Sequence, residues 1–140
     1  MRRYVHYLVV LCLLGLGCHP ERQQFDKHDW YGLEVTASAY NSLSYQTDNT
    51  PSITAWGDTL KPGMKCIAIS RDLLALGFHH NMMVRIDTFS DTFYVKDKMH
   101  QRWKNRIDIY MGKDVQKARD WGKRKLQICY AVKRDSLPKN

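Results

Sequence analysis

From Leu33 to Val132 the chain sets short apolar runs between polar turns at intervals of about ten residues. Leu-Glu-Val-Thr-Ala-Ser-Ala-Tyr alternates and is β-branched, which predicts a strand from Leu33 to Tyr40. The polar, Pro-containing stretch 41–52 reads as a loop. Ser-Ile-Thr-Ala-Trp (52–56) and Met-Lys-Cys-Ile-Ala-Ile-Ser (64–70) flank the turn 57–63, and both read as strands. Runs at 81–89, 91–97, 105–112 and 124–132 complete the set. Two helical pieces interrupt it. Residues 70–78 are short, with Gly77 placed to end a turn. Residues 113–122 repeat Val115, Ala118 and Trp121 on one face, with Gly122 at the C′ position. The spacing favours one small, mainly β barrel with one or two short helices over alternating βαβ units. Barrel closure leaves no free sheet edge, which suits a monomer.

The chain ends add a destination. Arg2 and Arg3 precede an apolar run from Tyr7 to Leu16 that is short for a membrane span and reads as a secretory signal. Leu-Gly-Leu-Gly-Cys resembles a bacterial lipobox with cleavage before Cys18. The expected layout is a signal peptide at 1–17, a polar tether at 18–32, the barrel at 33–132 and a frayed tail at 133–140. A lipid on Cys18 would anchor the exported protein to a bacterial membrane on the envelope or periplasmic side. Soluble secretion and an uncleaved anchor are the alternatives.

Charge and cysteines narrow the partners. Removal of Arg2 and Arg3 lowers Lys+Arg from 22 to 20 against 14 Asp+Glu, leaving about +6. An exported basic domain meets phosphorylated polymers, peptidoglycan carboxylates or lipid headgroups, and export argues against nucleic acid. Cys66 and Cys129 lie in apolar runs, where they form either a disulfide or two separate buried thiols. No cysteine spacing suggests a metal. His79 and His80, adjacent in a strand, would face opposite ways, so no metal or other cofactor is expected.

Single carboxylates inside two apolar strands are the candidate chemistry. Asp97 ends Phe-Tyr-Val-Lys-Asp and Asp108 centres Arg-Ile-Asp-Ile-Tyr, eleven positions on. The charges between them, Lys98, Arg102, Lys104 and Arg106, are all basic. Alternation puts Asp97 on the face of Phe93 and Val95, and Asp108 with Tyr110 opposite Ile107 and Ile109. Partial burial raises a carboxyl pKa, while Arg106 and the lysines lower it. The simpler alternative is that Asp108 pairs with Arg106 or caps a turn.

These landmarks together resemble the Asp-Asp-Asp (3D) domain family, found in membrane-bound lytic transglycosylase A and in small muralytic proteins. The resemblance runs through Ala37-Ser38-Ala39-Tyr40, Thr54-Ala55-Trp56-Gly57, Pro62-Gly63, Cys66 to Ser70, Leu76-Gly77, Asp97, Arg106 to Tyr110 and Ala118 to Gly122. It implies a double-psi β-barrel. The sequence departs from the family pattern twice. Ser70 stands where the first Asp aligns, with Asp72 two residues later as the other candidate. Residues 98–105 replace a glycine-rich loop and offer Trp103 as a face for a sugar ring.

The resemblance implies non-hydrolytic cleavage of the β-1,4 bond between N-acetylmuramic acid and N-acetylglucosamine in peptidoglycan glycan strands, giving a 1,6-anhydro end. Asp108 would be the acid/base and Asp97 the carboxylate that raises its pKa. Ser70, Thr54 and Arg106 would contact the sugar; strand filler and surface charge are the plainer readings of Thr54 and Arg106. Trp30, Tyr31, Tyr40 and Tyr45 either line a glycan groove or pack the core. A second reading keeps the barrel and its grip on glycan without cleavage.

Overall fold

The structure is a computed structural model and describes residues 27–43 and 52–134. The signal segment, Cys18, residues 18–26 of the tether, Tyr45 and the tail from 135 lie outside the described residues.

Six strands close into a barrel: β1 (His28–Tyr40), β2 (Cys66–Ile69), β3 (Met83–Ile86), β4 (Thr92–Lys98), β5 (Arg106–Tyr110) and β6 (Arg124–Lys133). Their order around the wall is β1-β5-β2-β4-β3-β6. β1 runs parallel to β5 and β2 parallel to β4, and the remaining pairs are antiparallel. Alternation sorts the residues as expected. Val35, Ala37, Ile67, Ile69, Ile107 and Ile109 fill the interior, while their neighbours along each strand face outward.

β1 begins at His28 rather than Leu33, so residues 28–32 belong to the barrel and not to the tether. β6 extends to Lys133 and pairs with this extra length. Side chains secure it: Arg134 meets Asp29 at 3.0 Å, and the Arg85 guanidinium lies 3.8 Å over the Trp30 ring. Lys133 and Arg134, at the start of the expected tail, are thus held against β1.

The expected strand at 52–56 does not form, and only an isolated bridge joins Ile53 to Thr59. The cause is local: Thr54 Oγ1 accepts the Asp58 N–H at 3.0 Å, and Thr54 N–H reaches the Asp58 carbonyl at 2.9 Å. A hydroxyl that binds its own backbone competes with sheet pairing.

The first helical piece is a 3₁₀ turn (Arg71–Leu76) closed by Gly77 at φ 90°. The second is helix α1 (Val115–Trp121), whose N-cap Asp114 accepts the Lys117 N–H at 2.9 Å. Its half-buried Val115, Ala118 and Trp121 turn toward the barrel, where Trp121 stacks on Phe89 at 5.2 Å. Cys66 and Cys129 are both free, on strands from opposite walls of the barrel, which decides against the disulfide. Burial pushes the Cys66 thiol up to about 12.

Candidate active site

Parallel and antiparallel register place one outward-facing row across four strands: Ser38 on β1, Asp108 on β5, Ala68 on β2 and Asp97 on β4. Ala68 pairs with both aspartates, so their backbones stand two strand spacings apart, about 10 Å.

Asp97 reaches that row through a bulge. Between Ile67 and Ala68 the β2–β4 register shifts, pairing Ile67 with Val95 but Ala68 with Asp97. Lys96 is the extra residue. Simple alternation placed Asp97 on the inward face with Phe93 and Val95, and the bulge corrects that by turning it outward beside Asp108. Its Oδ1 accepts the N–H groups of Ala55 at 2.7 Å and Lys98 at 2.8 Å.

Asp108 lies in a chain of hydrogen bonds. Ser38 Oγ donates to Asp108 Oδ1 at 2.9 Å, and the same oxygen accepts from Arg106 Nη2 at 2.9 Å and Nε at 3.3 Å. Arg106 thus acts on Asp108 through Ser38, which refines the simple pairing the sequence allowed. Ile107 and Ile109 point into the barrel, so the shielding of Asp108 comes from the outer face of β1 and β2.

Burial raises the pKa of Asp108, opposed by the Ser38 hydroxyl and Arg106 and reinforced by Asp97. Burial also raises that of Asp97, opposed by the Ala55 and Lys98 amides and by Lys98. One step along the strands, Tyr40, Tyr110, Cys66, Leu60 and Met64 form a small second core on this outer face. Tyr40 carries its hydroxyl there in the field of both aspartates. Burial, then Cys66 and the two aspartates, drives its pKa far up, so the phenol stays protonated.

The expected sugar contacts divide. Arg106 is at the site, its guanidinium 4.1 Å from the Trp103 ring centre. That packing, with Arg102 at 4.9 Å, engages the indole proposed as a sugar platform. Ser70 is corrected. It is wholly buried, and its Oγ accepts the Arg106 N–H at 2.9 Å, tying β2 to β5. Thr54 is corrected likewise, since it is buried and its hydroxyl shapes the turn. Asp72, the other candidate, has a structural partner: its carboxylate accepts the Asn105 N–H at 2.8 Å and braces the 105 turn. Burial alone would raise Asp72, but the Asn105 amide and the Ser70 hydroxyl outweigh it.

Beside Asp97 the 54–59 turn is held from outside. Asp58 accepts from Lys96 Nζ at 3.0 Å and meets His80 Nε2, while His80 stacks on Trp56 at 5.3 Å. Lys98 covers Trp56 at 4.7 Å. Among the described residues no group of three or more His, Cys, Asp or Glu side chains is arranged to hold a metal. Tyr40 packs on Tyr110 in the second core, whereas Tyr31 packs on Tyr130 yet stays exposed.

The site groups missed in the sequence are Ser38 and the Ala55 amide, with Tyr40 offered there only for a glycan groove or the core. Ser38 and Tyr40 share the outward parity of β1, which was readable. What Ser38 faces depends on a β1–β5 register joining residues 70 apart. No protein-family model matches the chain, and no curated protein matches it.

Proposed function

We propose that this protein is a lytic transglycosylase of the bacterial cell envelope, acting on peptidoglycan while tethered through Cys18. The observation that carries the reading is a pair of outward-facing aspartates, two strands apart, whose pKa values burial raises above the ordinary aspartate value. The closed barrel with parallel β1/β5 and β2/β4 pairs is read here as a double-psi barrel of the 3D type, in keeping with the motif order along the chain.

The reaction follows from those carboxyls. Asp108, protonated, donates to the glycosidic oxygen as the bond from the muramyl anomeric carbon breaks. The muramyl C6 hydroxyl closes on that carbon, and Asp108 takes back the proton it releases. The nucleophile belongs to the substrate and attacks at high effective molarity, so a second carboxylate need not hold water. Asp97 favours the protonated Asp108 by like-charge repulsion, while Ser38 fixes which way the carboxyl points.

Product analysis by mass spectrometry, after the full chain meets purified peptidoglycan, tests this. The expected products are 1,6-anhydro-muropeptides, reduced at least ~100-fold in Asp108→Asn. Hydrolysed ends without the anhydro bridge would contradict the reading. Sacculi bound without product would favour a glycan-binding barrel, a reading supported by the burial of Ser70 where the family carries its first Asp.

A further inference from the structure

On the same outer face as Tyr110, beyond the two aspartates, lies a cavity of about 390 Å³ lined by Ser42, Ser52, Leu60, Lys61, Pro62 and Lys113 among others. We propose that it is an anion subsite that takes a carboxylate of the glycan substrate; the proposal rests on the peptidoglycan reading above.

The cavity is built by close backbone packing. Gly112, at φ 65°, lets Pro62 approach so nearly that an added Cβ would stand 3.6 Å from its Cα. That contact brings the adjacent Lys61 and Lys113 to one opening. The floor is fixed too. Ser42 N–H and Asn41 Nδ2 both donate to the Gly112 carbonyl at 3.2 Å, and Asn41 Nδ2 also reaches the Asp114 carbonyl at 3.0 Å. Ser42 Oγ and Tyr110 Oη share a hydrogen bond of 2.7 Å.

Among the described residues the charges there are uncompensated. Lys65, Lys96 and Lys125 each meet a carboxylate, but among the described residues Lys61 and Lys113 meet none. The nearby Asp114 carboxylate is occupied in capping α1. Two ammonium groups with the Ser42 and Ser52 hydroxyls offer donors and, among the described residues, no competing anion, which suits the acceptor-only oxygens of a carboxylate. Tyr110 is two residues from Asp108, about 7 Å along β5. A glycan held at Asp108 therefore extends past Tyr110 with its lactyl or stem-peptide carboxylates within reach of the lysines.

The test uses the full chain with Asp108→Asn, so that bound glycan survives, with and without Lys61→Ala plus Lys113→Ala. Binding to solubilised peptidoglycan fragments should weaken roughly tenfold in the lysine variant. Fragments whose carboxylates are capped as amides should bind both proteins equally. Fragments stripped of stem peptides distinguish the sources: a retained difference assigns the lactyl carboxylate, a vanished one the peptide. A Lys61→Arg plus Lys113→Arg variant should bind like the parent, which separates charge from misfolding. Equal affinities on uncapped fragments, an equal loss on capped ones, or no binding by the parent would overturn the subsite. Anhydro-product release by the wild-type chain, followed in parallel, reports separately on the reaction itself.

Discussion

In the proposed reaction Asp108 donates a proton and so must start protonated, and activity should fall as pH rises through its folded pKa. Its neighbours set where that fall lies, and they push in opposite directions. Arg106 favours the charged form and Asp97 the neutral one. Arg106→Gln should therefore move the descending limb of the pH–rate profile to higher pH, and Asp97→Asn should move it to lower pH. Profiles of anhydro-product release for the two variants check this. Shifts in the same direction would remove Asp108 from the acid role. The basic character of the segment was plain in the sequence, but not that Arg106 acts through the Ser38 hydroxyl. That link needs two strands brought together, and neither strand announces its partner.

Short irregular elements, rather than the strands, determine what the site contains. Alternation correctly set Ile107 and Ile109 of β5 opposite Asp108, because burying one apolar face requires it. It failed at Asp97, where one inserted residue reverses the parity, and Lys96 carries no mark of that in the sequence. It failed again at 52–56, where β-branched residues suggested a strand but the Thr54 hydroxyl captured its own turn. Ser70 shows the same theme at the end of β2. Its hydroxyl satisfies the Arg106 N–H inside a wholly buried position. Ser70→Ala should cost about 1–2 kcal/mol in urea unfolding by orphaning that amide. Ser70→Asp should cost more because it buries a charge beside Asp72. A neutral or stabilising Ser70→Asp would mean the position opens onto the site after all.

Across the whole barrel the ionisable groups divide into two sets with opposite effects on stability. Barrel class was legible because strand spacing and turn residues repeat along the chain. The row of Ser38, Asp108, Ala68 and Asp97 was not, since closure order and register are properties of the assembled wall. That row holds Asp97 and Asp108 above the ordinary aspartate value of 3.8, chiefly through burial. Between 3.8 and their folded values the native state binds more protons than the unfolded chain, so stability falls as pH rises. Asp58 and Asp72 do the reverse. Burial alone would raise them, but hydrogen bonds from Lys96 and His80 to Asp58, and from Asn105 and Ser70 to Asp72, hold both below 3.8. Their contribution is present above 3.8 and is lost as pH falls through their folded values. From these groups the barrel should therefore be most stable in mild acid, just above 3.8, and lose stability as pH rises through the folded values of Asp97 and Asp108. Urea midpoints across that range would show it. The Asp97→Asn plus Asp108→Asn variant should flatten the alkaline side of the curve, gaining stability at neutral pH and little in mild acid. A decline of the same size in that variant would mean the fold does not raise the pKa values of the two aspartates, and the proposed acid would lose its support.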